Sequence, residues 1–385
     1  VCISGLRFLT AGESHGQCLT AIVEGIPAGL SVDIEAINGD LARRQQGYGR
    51  GGRMKIETDK AEVTSGIRFG ETMGDPITLR IVNKDWQNWT DRMSVFGSEY
   101  GDKVTAVRPG HADLTGVLKY NRDDARDILE RASARETAAR VAVGGLCKEF
   151  LAACGIQVVS HVVKIGGVAV DEARINREEI GSGSSELNCY DAVAEEAMKQ
   201  RIQEAMAQGD TLGGVFEVIV RGAPLGLGSH IQWDQRLDGK LAAAMMAIQA
   251  IKGVEIGAGF QCGELPGSEI HDEMFLSQEG HVYRKTNRAG GLEGGMTNGE
   301  EIVVRACMKP IPTLMKPLHS VDIAQDKEVL ACKERSDVCA VSAASVVGEA
   351  MTAIVMAQAV LDKFGGDAMC DLLANMENYR ARVQG

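Results

Sequence analysis

A basic, glycine-rich stretch over residues 43–55, RRQQGYGRGGRMK, has residue types suited to binding an anion. Guanidinium groups bind phosphate or carboxylate through paired hydrogen bonds, and glycines let the backbone come close to a ligand. Since the whole chain has a formal net charge of -12, the stretch predicts a local clamp for a small polyanion. The alternative is a solvated basic loop, because runs of charge usually face water. The cationic residues of the stretch are Arg43, Arg44, Arg50, Arg53 and Lys55.

Two histidines lie in turns, where their rings can face a cleft. His15 lies in AGESHG, directly after a short strand predicted from residue 7, and His111 lies in VRPGHAD, close to Arg108. Because histidine exchanges protons near neutral pH, each ring can act as an acid or a base. Each histidine could instead be an ordinary exposed turn residue, so the pattern alone leaves both interpretations open.

The longest predicted helix carries a third group of candidates. Its apolar pattern begins at Asp123 or Asp124 and continues to Gly155, which is typical of a residue that ends a helix. Arg131 and Arg135 lie one turn apart on this helix. Surface ion pairs with neighbouring glutamates are the alternative, and they explain one arginine more easily than two.

The sequence ERSD, residues 334–337, precedes an almost uncharged segment over residues 338–361. Arg335 and Asp337 would lie at the N-terminus of the predicted helix, where backbone N–H groups favour anions. The segment is apolar enough to resemble a membrane span. Glu349 and the many small side chains favour a buried central helix instead.

Other predicted elements connect these candidates. Asp33 caps a helix that would deliver Arg44 at its C-terminal end. Two strand-like runs lie between residues 62 and 82, and the second alternates from residue 77. The remaining elements are a helix over residues 191–208, a strand over 214–221, a helix over 239–252 that carries Gln249, and a stiff extended segment over 309–313.

Composition limits the class of protein. The 385 residues include 44% apolar but only 4% aromatic side chains, so the core must rest on small and aliphatic residues, which favour closely packed helices. Length alone favours two or three domains, but the loosest stretch, GSGSS over residues 181–185, is short enough to be a surface loop, which leaves one compact unit possible. On the single-domain interpretation, the domain spans residues 7–385 and residues 1–6 form an N-terminal extension. The acidic net charge argues against nucleic-acid binding.

The ten cysteines show neither C-x-x-C nor zinc-ligand spacing, and no export signal precedes them, which predicts reduced thiols, no metal site and a cytoplasmic location. The glycine-rich pieces match neither a dinucleotide-binding fingerprint nor a Walker A motif. Two turn histidines with many arginines therefore indicate an enzyme that handles phosphate on a multiply anionic small substrate. The residues alone leave its reaction open.

In these same stretches the chain resembles the chorismate synthase family, and the motifs occur in the family's order over nearly the whole chain. They are RFLTAGESHG from residue 7, RRQQGYGRGGRMKIETD from 43, VRPGHAD from 107, ERASARETAARVAVG from 130, AGGLEGGMTNG from 289, MKPIPTL from 308 and ERSDVCAV from 334. The resemblance implies anti-1,4-elimination of phosphate from 5-enolpyruvylshikimate 3-phosphate to give chorismate. It also implies a requirement for reduced FMN, which is not consumed overall.

The resemblance further implies roles for individual residues. His15 would protonate the departing phosphate, His111 would support the protonation state of the reduced flavin, and Asp337 with Ser14 and Ser133 would form a proton relay. Substrate contacts would come from Arg44, Arg50, Arg53, Arg108, Ala134, Arg135 and Arg335. The FMN would be lined by Arg131, Ala132, Ser133, Gln249, Ala250, Gly294, Lys309, Pro310, Ile311, Pro312, Thr313 and Arg335. Gln249 stands where asparagine is expected in many relatives.

The fold implied is a layered β-α-β sandwich of the α+β class, with helices between two antiparallel sheets, usually assembled as a homotetramer and not bound to a membrane. One alternative activity is an intrinsic NAD(P)H:FMN reductase, with NADPH as the reductant; otherwise a separate flavin reductase would supply reduced FMN. A non-enzyme alternative is an RNA-binding module that uses Tyr48 and the arginine-glycine run.

Overall fold

The structure is a computed structural model that describes residues 5–51, 58–98, 100–182, 185–331 and 337–384. Its helices are α1 Ile34–Gln45, α2 Asp113–Tyr120, α3 Arg126–Ala132, α4 Thr137–Ala153, α5 Ala192–Ala207, α6 Leu237–Met246, α7 Gly267–Ile270, α8 Val341–Phe364 and α9 Met369–Gln384. Its strands are β1 Arg7–Ala11, β2 Cys18–Glu24, β3 Glu62–Ser65, β4 Ile67–Arg68, β5 Glu71–Thr72, β6 Ile77–Val82, β7 Gln157–Ile165, β8 Val168–Ala169, β9 Gly214–Arg221, β10 Ile251–Ile256, β11 Met274–Leu276, β12 Val282–Arg284, β13 Leu292–Glu293, β14 Met296–Thr297, β15 Ile302–Met308, β16 His319–Asp322 and β17 Lys327–Leu330.

Two antiparallel sheets enclose a layer of helices. The first sheet has the strand order β1-β2-β6-β3, and the second has the order β10-β15-β9-β7-β8. Helix α4 packs on β2 and β6 of the first sheet, α8 packs on β7 and β9 of the second, and the two helices pack on each other. The predicted β-α-β sandwich of the α+β class is therefore confirmed.

Small residues let the central layers come close together. A Cβ added at Gly144 of α4 would lie 2.3 Å from the Cβ of Ala350 on α8. A Cβ added at Gly348 of α8 would lie 2.4 Å from the ring of Phe216 on β9. Any side chain at these two glycines would force the layers apart, because packed interiors have little free space.

Helix α8 is long and apolar enough to cross a membrane by length and composition, yet 89% of that apolar window is buried inside the protein. Glu349 on this helix accepts hydrogen bonds from Arg43, Lys148 and Ser160, at 2.6, 3.0 and 2.7 Å. Although burial alone raises the pKa of Glu349, the charges of Lys148 and Arg43 lower it to about 2. Arg43 thus belongs to an ion network of the core, although the sequence placed it in the anion clamp.

Two predicted helices are wrong in part, and both errors fall at predicted site residues. The helix expected to run to Gly155 is interrupted, because Ser133 is extended (φ -60°, ψ 142°) and a short 3-10 helix, Ala134–Glu136, separates α3 from α4. The helix expected to end at residue 252 stops at Met246. Ala250 then adopts a left-handed conformation (φ 67°), and β10 begins.

Among the described residues, no group of three or more histidine, cysteine or acidic side chains could hold a metal ion. The cysteines of the described residues are free thiols, and Cys147, Cys154, Cys189 and Cys339 are buried. Burial raises the pKa of the Cys147 thiol to about 12, so this thiol stays protonated at neutral pH.

Candidate active site

His15 lies in the turn between β1 and β2, against the C-terminal half of α3. Its Nδ1 is 2.9 and 3.0 Å from the two carboxylate oxygens of Glu130. Its ring stacks on Trp89, with the ring centroids 4.0 Å apart and the planes inclined by 29°. The histidine is therefore held both at one ring nitrogen and on one face.

His111 lies in the turn before α2 and is held in the same way by Asp113. Its Nδ1 is 2.5 Å from the Asp113 carboxylate, which also accepts from Arg108 Nε at 2.8 Å. Burial alone would raise the pKa of Asp113, but hydrogen bonds from His111 and Arg108 hold it well below its usual range. The second predicted histidine thus has an ionised carboxylate behind it as well.

Two of the predicted substrate-binding arginines share one buried carboxylate. Arg44 Nη2 lies 2.7 Å from Asp59, and Arg135 Nη1 lies 2.6 and 2.7 Å from its two oxygens. Both arginines are buried, and Arg135 Nε also donates to Asn83 Oδ1 at 2.9 Å. Two guanidinium groups on one carboxylate leave a formal excess of one positive charge, which favours binding of an anion there.

Burial is also the main cause that lowers the pKa of Arg44, opposed by the charge of Asp59. The pKa of Asp59 is lowered, because the charges of Arg44 and Arg135 outweigh the effect of burial. In the structure these arginines are paired to Asp59, so direct contact with a substrate stays a prediction. Ala134, which the resemblance also places at the substrate, is exposed beside them.

Arg50 and Asp337 come together from distant parts of the chain. Arg50 Nη1 lies 2.9 Å from Asp337 Oδ2, and the Gly51 N–H donates to Asp337 Oδ1 at 2.6 Å. The basic stretch therefore meets the segment before α8, as a shared site requires. Arg53 and Arg335, the other two predicted anion ligands, lie outside the described residues.

The two predicted relay serines both adjoin α3. Ser14 is 2% exposed, and its N–H donates to the main-chain oxygen of Glu130 at 3.0 Å. The Ser133 hydroxyl accepts from the Arg135 N–H at 3.2 Å and so caps the 3-10 helix. A relay that joins these hydroxyls to Asp337 stays a prediction.

Predicted flavin-lining residues from two stretches meet around Glu136. Arg131 donates to the carbonyl of Thr10 at 3.0 Å and to its hydroxyl at 2.7 Å, and that hydroxyl donates to Glu136 at 2.8 Å. Gln249 Nε2 lies 3.3 Å from Glu136 Oε2. Within the described part of the chain, Gln249 Oε1 is buried without a hydrogen-bond partner. An acceptor of this kind is available to a bound ligand. Ala132 ends α3 between Arg131 and the extended Ser133.

The predicted flavin-lining residues Lys309, Pro310, Ile311, Pro312 and Thr313 follow β15 without forming a strand and lie against the turn that carries His111. The Lys309 ammonium donates to the carbonyl of Gly110, and Arg108 Nη1 lies 3.5 Å from the Thr313 hydroxyl. The Lys309 N–H donates to the carbonyl of Ala250 at 2.9 Å, which brings a third predicted stretch to this place.

Gly294 lies in the turn between β13 and β14, and a Cβ added there would approach His230 at 4.0 Å. Among the described residues, we find no contact between Gly294 and another predicted site residue.

Three carboxylates behind the histidines and arginines, Glu130, Asp113 and Asp59, are not predicted as site residues from the sequence, whereas Asp337 is. Asp113 is two residues beyond His111, so its place in VRPGHAD was an available signal. Glu130 was considered only as a partner in surface ion pairs. No sequence spacing links it to His15, 115 residues earlier, or links Asp59 to Arg135.

A cavity of about 490 Å³ adjoins this region, and Glu13, Arg126 and Glu130 contribute to its lining. Its remaining lining residues come mainly from residues 91–103 and 122–127 and are mostly polar. The region around His15 therefore borders a space that can admit a polar molecule.

Comparisons with known proteins agree with the motifs. The family model for chorismate synthase matches residues 6–361. The chain is 59% identical over 383 residues to a chorismate synthase of Syntrophotalea carbinolica, which covers 98% of this chain and 99% of that protein. It is 56% identical over 390 residues to a chorismate synthase of Geobacter sulfurreducens, with 98% and 99% covered. A crystal structure of a chorismate synthase superimposes with a TM-score of 0.79 at 46% identity, over 98% of both chains. Since sequence and fold both match over almost the full length, this chain belongs to the chorismate synthase family.

Proposed function

We propose that the residues assembled around His15 and His111 perform the reaction of the family. That reaction is the elimination of phosphate from 5-enolpyruvylshikimate 3-phosphate to give chorismate, and the enzyme acts as a carbon-oxygen lyase. The observation that supports these residues most strongly is the pairing of both turn histidines, through Nδ1, with buried carboxylates. Such a pair orients an imidazole for proton transfer.

The substrate carries one phosphate and two carboxylates, so its site must supply several cations. Arg44 and Arg135 bring an excess of positive charge at Asp59, and Arg50 and Arg108 lie on the neighbouring stretches. We assign the anion-binding role to these four residues, together with Arg53 and Arg335 from the sequence motifs and with Ala134 beside Arg135. Arginine suits this role because its planar fork matches phosphate and carboxylate oxygens.

In the elimination, the C–O bond to phosphate and a ring C–H bond in a 1,4 relationship break, and a new pattern of ring double bonds forms. The phosphate leaves with the electron pair of the C–O bond, and the ring hydrogen leaves as a proton. His15 gives a proton to the departing phosphate, which lowers the negative charge that develops on it. The Asp337 carboxylate accepts the ring proton through the relay that it forms with Ser14 and Ser133.

The FMN-lining residues fit a flavin in their chemistry. Gln249 Oε1 is a buried acceptor without a partner among the described residues, and Lys309, Thr313 and Arg131 supply an ammonium, a hydroxyl and a guanidinium group. We propose that these four residues hold the cofactor together with Ala132, Ser133, Ala250, Gly294, Pro310, Ile311, Pro312 and Arg335. His111 supports the protonation state of the reduced flavin. When bound, reduced FMN supplies the electron density that helps the C–O bond to break, and it is not consumed overall.

We also propose that the enzyme works in the cytoplasm as a homotetramer. An exposed apolar group on the outer face of the first sheet supports association, because Leu9 is 75% and Ile22 is 45% exposed there. The source of reduced FMN has two alternatives, an intrinsic NADPH-dependent reductase or a separate one. NADPH consumption on addition of FMN, compared with free flavin, separates them, and light scattering measures the oligomer.

An anaerobic assay with 5-enolpyruvylshikimate 3-phosphate and chemically reduced FMN tests the proposal. Phosphate and chorismate are followed together, and we expect them to appear in equal amounts and only when the FMN is reduced. A His15→Ala chain that still turns over within twofold of the parent would remove His15 from the assigned role. Flavin binding without any product would overturn the assigned reaction.

A further inference from the structure

Glu130 contacts the His15 turn at more points than an ordinary surface ion pair. Besides the two contacts to Nδ1, its Oε2 accepts the backbone N–H of His15 at 2.8 Å. Its own main-chain oxygen accepts the N–H of Ser14 at 3.0 Å. The Glu130 side chain is only 2% exposed, so these bonds are not exchanged for water. Both the backbone and the ring of His15 are therefore fixed by this one residue.

The charge state of Glu130 decides which nitrogen of His15 carries a hydrogen. Burial alone would raise the pKa of Glu130, but hydrogen bonds from His15 and the charge of Arg126 lower it below its ordinary value. An ionised carboxylate accepts hydrogen bonds and cannot donate them. The hydrogen between the two residues must then belong to Nδ1, which leaves Nε2 as the nitrogen that gains and loses a proton.

Trp89 restricts the ring in the remaining direction, by stacking on its face. Arg126 joins the two supports, because its Nη1 lies 3.1 Å from Glu130 Oε1 and its guanidinium carbon lies 5.1 Å from the Trp89 ring centroid. Aromatic stacking and a cation over the ring each contribute modestly, and together they fix the plane of the imidazole.

The charged groups around His15 come from several elements. Glu130 and Arg126 face it from α3, Glu13 lies in the same turn, and Arg92 lies 5.8 Å from the Trp89 ring centroid. Of these, Glu130 is hydrogen-bonded to the ring. Its negative charge stabilises the protonated imidazole more than the neutral one.

We propose that Glu130 is a positioning residue for the elimination, which holds the Nδ1–H tautomer of His15 and stabilises its imidazolium so that Nε2 delivers the proton to the leaving phosphate. Trp89 keeps the ring in the plane that this transfer needs. The inference rests on the proposed role of His15, and it adds a carboxylate that neither the motifs nor the family comparison assigned.

A double-mutant cycle tests whether Glu130 acts through His15. The variants are Glu130→Gln, His15→Ala and the two combined, assayed with saturating substrate and chemically reduced FMN. We expect Glu130→Gln to lower kcat by about 10- to 100-fold, by analogy with the loss when the carboxylate partner of a metal-binding histidine is removed. In the His15→Ala background the same change should alter kcat by less than about twofold, because its effect passes through the missing imidazole. An equal loss in both backgrounds would overturn the inference and leave the role of His15 standing.

The pH profile provides a readout that a purely structural residue would not move. A step that needs a protonated general acid loses rate as the pH rises. Because a carboxylate charge favours the protonated form of the group that it binds, the decline in log kcat should move to lower pH in Glu130→Gln. A decline that disappears in His15→Ala but stays in place in Glu130→Gln would contradict the inference. A decline that persists unchanged in His15→Ala would instead contradict the proposed function.

The tautomer can be observed without any turnover. In protein containing 15N-labelled histidine, the His15 signals are assigned by their loss in His15→Ala. We expect the neutral ring to show a protonated Nδ1 in the parent and a mixture of tautomers in Glu130→Gln. A protonated Nε2 in the parent would overturn the inference.

Two further variants keep the test clear. If Glu130→Gln does not fold, Glu130→Asp retains the charge on a shorter side chain, and it should lower kcat without moving the pH of the decline. Glu217→Gln is a matched control, because Glu217 pairs with His161 in a buried ion network away from the site. It should leave both kcat and the pH of the decline unchanged. A shift of the same size in this control would show a general effect of charge and overturn the inference.

Discussion

The molecule contains two histidine–glutamate pairs with the same residue types and different surroundings. His15 binds Glu130 through Nδ1 in a turn, with 18% of its side chain exposed. His161 binds Glu217 through Nε2, at 3.2 Å, between neighbouring strands β7 and β9, with only 3% exposed. The other nitrogen of His161 is buried without a hydrogen-bond partner among the described residues. A His–Glu pair is thus not itself a sign of catalysis.

The surroundings explain the difference between the two pairs. The His161 pair lies on the outer face of the second sheet beside a small apolar cluster, to which Ile180 and Ile219 contribute. Arg305 binds the second oxygen of Glu217 at 2.6 Å, so that carboxylate serves an ion network. At His15 the carboxylate orients a ring that is partly exposed, and the carboxylate residue itself lines a cavity. We propose that the partial exposure of the ring, and not the pairing, distinguishes the histidine assigned to proton transfer.

Removal of each imidazole is the strongest test of this distinction. His15→Ala should lower kcat by about 10²- to 10⁴-fold, the usual contribution of a positioned acid, and His111→Ala should do so independently. His161→Gln should leave kcat within about twofold, since none of the described site residues contacts its ring. Steady-state assays with chemically reduced FMN measure all three. Equal losses in His15→Ala and His161→Gln would erase the distinction.

The contribution of the His161–Glu217 pair to the free energy of unfolding should depend on pH in acid. Burial by itself raises the pKa of Glu217, but the hydrogen bond from His161 and the charge of Arg305 lower it to about 2. A carboxyl whose pKa is lowered by folding stabilises the folded state at pH values above its unfolded pKa of about 4.5. This stabilisation is lost as the pH falls from about 5 towards 2. The loss is roughly 3 kcal/mol, from about 1.4 kcal/mol per pKa unit.

Denaturant titrations between pH 5 and pH 2 check this value. In Glu217→Gln the midpoint should be lower at pH 7, and it should fall less steeply towards acid than in the parent, because the titrating group is gone. A slope identical to that of the parent would show that Glu217 is not responsible.

Removal of the aromatic neighbour should also affect kcat differently at the two pairs, but by a smaller factor than removal of the imidazole. Trp89 stacks on His15, whereas Tyr190 meets His161 edge to face with the centroids 6.4 Å apart. An aromatic contact contributes about 0.5–1.5 kcal/mol, so Trp89→Leu should lower kcat about 2- to 12-fold. Tyr190→Leu should leave kcat unchanged and lower the melting temperature. A Trp89→Leu enzyme with the kcat of the parent would show that the stack does not fix the ring.

The smallest change in stability is expected on removal of Arg177, an exposed partner of Glu217 in the His161 pair. Arg177 lies 3.5 Å from Glu217, but 46% of its side chain is exposed. Exposed ion pairs usually contribute less than about 1 kcal/mol. Arg177→Ala should therefore change the free energy of unfolding by less than that, as measured in urea. A larger loss would mean that the whole network, and not the buried part, stabilises the pair.

Much of the fold could be predicted from sequence pattern. The alternation that begins at residue 77 became β6, Ile77–Val82, and the strand expected over residues 214–221 is β9, Gly214–Arg221. The helix capped by Asp33 and the helix over residues 191–208 are present as α1 and α5. These elements have a regular apolar period, which is the strongest local signal in a sequence.

The breaks at Ser133 and Ala250 could not be predicted, because an apolar period does not reveal a single residue with non-helical backbone angles. Ser133 is extended and caps a new helical turn, and Ala250 is left-handed. Both lie among predicted site residues, where local preference and global structure most often disagree.

The sequence predicts histidines, arginines, two serines and Asp337 in the site, and the structure adds three carboxylates that hold some of them, Glu130, Asp113 and Asp59. Glu130 and Asp59 act on residues far away in sequence, so no local spacing identifies them. Asp113, which lies close to His111, was the one with a local signal. Sequence motifs therefore predict the functional residues, whereas tertiary contacts reveal most of the carboxylates that hold them in place.

The place of α8 in the chain has a consequence for biosynthesis. This helix fills the middle layer against α4, β7 and β9, yet a ribosome makes it after all three. The apolar inner face of the second sheet must wait for residues 341–364 before it can be covered. Because domains fold as units during synthesis, we expect the nascent chain to depend on chaperones until residues 341–364 have left the ribosome.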